Sequence, residues 1–90
     1  MTEEDDRIRE LRERLAAVDR GIVDALNERI ALVEELRRVK EEVGAAFLDP
    51  ARERWLHDHL AAHNRGPLSE AGLRSFYSEV LALTKRELGR

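Results

Sequence analysis

Arg29 occupies a position that its neighbours reserve for apolar side chains. A heptad numbered from Ile8 puts Ile8, Leu15, Ile22, Arg29, Leu36 and Val43 at position a, and Leu11, Val18, Ala25, Leu32 and Val39 at position d. Ten of these eleven positions are apolar, and the eleventh is Arg29. A guanidinium on a seam that faces another helix is costly unless an anionic group meets it. The chemistry this predicts is the gripping of a negatively charged ligand, in a pocket that opens at Arg29. A register-setting arginine that snorkels out of a coiled coil is the competing reading.

Lys40 and Arg12 extend the first reading. Lys40 lies at position e, eleven residues after Arg29. That is about three helical turns, on the same face and ~16 Å away, a separation that suits two cationic ends holding a small dianion. Arg12 is also at e, seventeen residues before Arg29 and so ~25 Å from it along one helix. The two cannot share a small-molecule site within one chain. In an antiparallel pair centred near Ile22, however, Arg12 of one chain comes level with residues 32 or 33 of the other, between Arg29 and Lys40. As plain structure, Arg12 and Lys40 are solvated surface cations.

A second group, Asp49, Arg52 and Glu53, opens the next helix. A helix N-terminus presents free N–H groups and the positive end of the dipole. Arg52 adds a further cation there, and Glu53 can accept a hydrogen bond from a hydroxyl. The plainer reading makes Asp49 a cap and leaves Arg52 and Glu53 solvated. His59 and His63 have the i, i+4 spacing of a metal pair, but neither His57 nor any other residue supplies a third ligand, so no metal site is predicted. The sequence has no glycine-rich phosphate loop, no Ser–His–acid set and no HExxH motif. Trp55 reads as a core or interface aromatic.

These residues need helices to hold them. The 90 residues predict one domain, residues 1–90. The net charge is −3 with 39% charged residues of both signs, which argues against a nucleic-acid partner. There is no cysteine, hence no disulfide framework. No signal peptide or membrane span is evident, and a soluble cytoplasmic protein is expected. Helix formers dominate, and no proline precedes Pro50. The spacing predicts a first helix from about Glu4 to Val43, ~60 Å long, ended by Gly44. Gly21 inside it weakens the helix or admits a close neighbour. Asp49 and Pro50 predict the cap and first residue of a second helix, running to about His63. Asn64-Arg65-Gly66-Pro67 breaks the chain, and Ser69 caps a third helix whose apolar face carries Leu73, Phe76, Tyr77, Val80, Leu81, Leu83 and Leu88. A compact monomer of this size has a radius of gyration of only ~12 Å. The first helix outruns that, so an intertwined antiparallel helical dimer is expected.

The stretches LRERLAAVDRGIVDALNERIALVEELRRVK and DPARERWL resemble the all-helical (AroQ-class) chorismate mutases. The resemblance covers nearly the whole chain and is carried by Leu11-Arg12, Asp19, the Leu-x-x-Arg of Leu26 to Arg29, Lys40, and Asp49-x-x-Arg52-Glu53. It implies an all-α dimer of three-helix chains with shared active sites. The activity implied is the Claisen rearrangement of chorismate to prephenate in aromatic amino-acid biosynthesis, without metal or cofactor. Arg29 and Arg52 would bind the substrate carboxylates, with Arg12 of the partner subunit. Lys40 would hydrogen-bond the ether oxygen and a carboxylate, and Asp49 and Glu53 would position the ring hydroxyl. In the third helix Thr84 stands for a small polar residue of the family. The family's second ligand to the ether oxygen, a glutamine or glutamate one turn on, is replaced by Leu88, with Glu87 one position short. Glu87 could serve there only as the carboxylic acid, the form that donates a hydrogen bond. The resemblance also admits an activating complex with the first enzyme of the aromatic pathway. Isochorismate-pyruvate lyase and aminodeoxychorismate mutase keep the same carboxylate clamp and stay open as alternatives, as does a non-catalytic antiparallel coiled-coil dimerisation module.

Overall fold

The computed structural model describes residues 3–89 and is all-helical over its regular elements: α1 is Glu3–Val43, α2 is Pro50–His63 and α3 is Glu70–Glu87. Each boundary lies within about a residue of the sequence expectation. Arg90, the last residue of the chain, lies outside the described residues.

The stops and starts have local causes. Gly44 has φ +72°, a left-handed conformation that favours glycine. There it makes both bonds of a Schellman cap: Gly44 N–H donates to the Glu41 carbonyl at 3.3 Å, and Ala45 N–H to the Lys40 carbonyl at 2.8 Å. Asp49 caps α2, with Pro50 as its first residue. The α2–α3 turn is tied by Asn64. Its backbone N–H donates to the Leu60 carbonyl at 2.9 Å, and its side-chain Nδ2 donates to the Leu68 carbonyl at 2.9 Å. Ser69 then caps α3 by accepting from Gly72 N–H at 3.0 Å. A Cβ at Gly72 would stand 3.0 Å from Ser69 Oγ and 3.2 Å from Leu68 Cδ1, so a larger residue there would push these side chains by a few tenths of an ångström.

The chain divides into two compact units, residues 1–32 and 33–90, with the boundary inside α1. From Glu3 on, the first unit is a stretch of single helix whose seam is uncovered: Leu11 is 55% exposed, Leu15 and Val18 each 61%. The second unit contains the rest of α1 and the packed pair α2 and α3. Its buried centre is small. Among the described residues only Val80 and Thr84 are buried. Leu73, Tyr77, Leu81, Leu83 and Leu88 are half-buried, while Phe76 and Trp55 stay exposed. On α1, Arg37 donates from Nε to Glu34 at 3.0 Å and from Nη1 to Glu41 at 2.8 Å. The hydrogen bond to Glu34 is the main reason its pKa lies above the ordinary arginine value. Among the described residues no helix is long and apolar enough to cross a membrane.

Gly21 lies mid-helix, and nothing stands within 4 Å of where its Cβ would be. Gly21→Ala is therefore expected to stabilise the helix, by up to about 1 kcal/mol, seen as a higher midpoint in a circular-dichroism melt. A lower midpoint would mean that another helix approaches closely at this position.

Candidate active site

The second unit holds Lys40, Asp49, Arg52, Glu53, Thr84 and Glu87. Lys40 is half-buried on the last turn of α1, and its Nζ donates to the Phe47 carbonyl at 3.2 Å. The bond ties the ammonium to the loop that leads into α2. Asp49 accepts at Oδ1 from Arg52 N–H at 3.0 Å, and its carbonyl accepts from Glu53 N–H at 3.1 Å. Its carboxylate is thus committed to the cap, and it fixes the first turn of α2 on which Arg52 and Glu53 stand.

Arg52 does not extend freely into solvent. Its guanidinium carbon lies 3.7 Å from the centre of the Trp55 ring, a cation–π contact. The other neighbour of that indole is His59, whose ring stacks on Trp55 at 4.6 Å between centroids and 10° between planes. Positions 52, 55 and 59 share one helix face at i, i+3 and i+7. Glu53 points elsewhere, to α3: its Oε1 lies 3.0 Å from Lys85 Nζ.

Thr84 is buried, 5% exposed, and its hydroxyl donates to the Val80 carbonyl at 2.8 Å. Glu87 ends α3 and is exposed, followed by the half-buried Leu88. In the first unit Arg12 is exposed and Arg29 is half-buried. No group of three or more His, Cys, Asp or Glu able to hold a metal ion occurs among the described residues. An open concavity of about 330 Å³ lies at the far end of the α2–α3 pair, lined by Ala61, Asn64, Gly66, Leu68, Glu70 and Leu73. It includes none of the candidate site residues.

Sequence reasoning missed Lys85. A lysine in the last turn of a helix reads as a partner for the dipole, and its sequence neighbours give no hint that Glu53, on another helix, will meet it. The Arg52–Trp55–His59 stack had a signal in the i, i+3 and i, i+4 spacings, which the reading of Trp55 as a core or interface aromatic did not use.

The same arrangement of three helices occurs in known proteins. Residues 11–87 match the family described as chorismate mutase type II, and the chain belongs to that family. The bifunctional chorismate mutase/prephenate dehydratase of Stutzerimonas stutzeri is 31% identical over 84 residues, covering 88% of this chain and 23% of that protein. The chorismate mutase of Methanocaldococcus jannaschii is 26% identical over 55 residues, 61% of this chain and 56% of that one. The solved structure of chorismate mutase (form I) from Thermus thermophilus superimposes with a TM-score of 0.82 at 35% identity, over 87% of this chain and 98% of that chain. The chain spans about a quarter of the length of the bifunctional relatives it matches.

The Asp49 carboxylate is expected to act on the fold through its cap. Asp49→Ala should cost about 1 kcal/mol in denaturant unfolding, while Asp49→Asn, which keeps the acceptor, should cost far less. Equal losses for the two would assign the effect to charge instead.

Proposed function

We propose that this chain is a chorismate mutase, an isomerase that rearranges chorismate to prephenate. The observation that carries the reading is the extent of the family match. It runs over residues 11–87 and takes in every candidate site position from Arg12 to Glu87. Two relatives carry prephenate dehydratase in the same protein, which supports prephenate as the product over the lyase and aminodeoxychorismate alternatives.

The reaction is unimolecular. One ether C–O bond breaks as one C–C bond forms between the enolpyruvyl group and the ring, and no atom is gained or lost. Catalysis then consists of holding the dianion in its compact conformer and stabilising charge that develops on the ether oxygen. In this reading Arg29 and Arg52 bind the carboxylates, together with Arg12 of the partner subunit. Lys40 donates to the ether oxygen, and Thr84 lines the same end of the site. Asp49, through backbone groups, and Glu53 place the ring hydroxyl. The carboxylate clamp uses arginine because its planar fork pairs with a carboxylate through two bonds. The homodimer is part of the proposal, and the exposed seam of α1 supports it. An activating complex with the first enzyme of the aromatic pathway belongs to the same reading. The direct test is loss of chorismate absorbance on adding the protein, with prephenate identified as the product. Protein that folds and dimerises but leaves chorismate unchanged, alone and with that enzyme, would point to the dimerisation module instead.

Arg29→Ala and Arg12→Ala are each expected to lower kcat/KM by orders of magnitude. Mixed and re-annealed, half the dimers are hybrids with one of two sites intact, so activity should return to roughly a quarter of wild type by the symmetry of the dimer. Absence of recovery, with hybrids verified by mass spectrometry, would contradict a site shared between chains.

Glu87 bears on the missing donor to the ether oxygen. Glutamine donates at every pH, a carboxyl only when protonated. Glu87→Gln is expected to raise activity above neutral pH and flatten the pH–rate profile. If Glu87→Gln and Glu87→Ala both match wild type across pH, Lys40 is the donor and Glu87 has no part in the reaction.

A further inference from the structure

Glu53 and Lys85 stand 32 residues apart in sequence, on different helices, and meet at 3.0 Å. Their side chains are 38% and 40% exposed, and ion pairs so exposed contribute little to folding stability. The pair nonetheless sets a cation beside the carboxylate to which the ring hydroxyl was assigned above. Lys85 directly follows Thr84, whose buried side chain is bonded to the Val80 carbonyl and anchors that turn of α3. The ammonium therefore approaches Glu53 from a fixed piece of backbone.

We infer that Lys85 is a specificity-determining residue: by occupying the Glu53 carboxylate with a cation, it makes the site select a ring hydroxyl over a ring ammonium. The inference rests on the proposed role of Glu53 toward the substrate ring. A carboxylate without a partner favours a charged donor, because N⁺–H···O⁻ bonds are stronger than those from neutral groups. Such a site would prefer an amino-substituted ring. Here Oε1 is already ion-paired with Lys85 Nζ at 3.0 Å. A carboxylate has about four lone-pair sites, so acceptor capacity is left for a neutral hydroxyl. A ring ammonium drawn to the same carboxylate would come within a few ångströms of Nζ, where like charges repel. Selection by repulsion of the wrong ligand is a common route to specificity. Lys85 has a second effect of the same sign. It offsets the negative charge of Glu53, which would otherwise oppose a dianionic substrate.

The experiment compares kcat/KM for chorismate and for aminodeoxychorismate, its ring-amino analogue, in wild type, Lys85→Met, Lys85→Gln and Lys85→Arg. Methionine keeps most of the stem and removes the charge. Wild-type activity on chorismate tests the earlier reading by itself. Given that activity, Lys85→Met and Lys85→Gln are expected to shift the hydroxyl-to-amine preference on the order of tenfold toward the amine. KM for chorismate should rise more than kcat falls, the thermal midpoint should hold, and Lys85→Arg should restore the preference. A ratio unchanged from wild type in both neutral variants, with either substrate gained or lost equally, would overturn the inference.

Discussion

Apolar surface on a helix has to be covered, and α1 carries more of it than the chain covers. From Ile8 to Val43 the seam presents a large apolar side chain at almost every a and d position, and these stay exposed: Ile22 at 45%, Leu32 at 57%, Val43 at 71%. Burial of such groups is the main favourable term in folding and association. With only Val80 and Thr84 buried among the described residues, little of it is used internally. Within that stripe, Arg29 is the one position where covering the surface with apolar groups would be unfavourable. The covered seam and the ligand site proposed at Arg29 would thus be two consequences of one pattern.

The cations of the second unit are held by different means. Lys40 rests on a backbone carbonyl, Arg52 on an indole face, and Lys85 on a carboxylate. The first two contacts leave the full positive charge in place, because neither a carbonyl nor a π-face carries a compensating charge. The third removes it. Lys40 and Arg52 are therefore suited to draw in an anion, whereas Lys85 and Glu53 are already matched to each other. This division between open and satisfied charge separates clamp from selector in the arrangement proposed above.

The helices were legible in the sequence because their signals are local. Asp49-Pro50 is a cap and a first turn, Ser69 a cap, and Gly44 the left-handed residue of a Schellman motif. Each is determined by atoms within a few residues, and each lies where the sequence put it. The cationic positions on α1 were legible for a similar reason, since one arginine against ten apolar positions is a contrast that needs no coordinates. Contacts made beyond a residue's own helix were not legible. Neither the approach of Lys85 to Glu53 nor the docking of Lys40 on Phe47 follows from periodicity. They depend on how the loop after Val43 and the turn at Asn64 set the helices, and that geometry is a tertiary outcome. Of the two places expected for Trp55, core or interface, the core of the chain is not the one it takes. Flanking cationic and imidazole groups gave its two faces partners at the surface instead.

Trp55 is also the only tryptophan in the chain. Its indole is bracketed by the Arg52 guanidinium and the His59 imidazole, so the electric field across its π-system is set largely by two movable groups. A ligand that draws the guanidinium off the ring changes that field, and with it the energy gap between the ground and excited states of the indole. If Arg52 holds a carboxylate as proposed, the indole beside it is an intrinsic optical reporter whose emission would read occupancy without any added label.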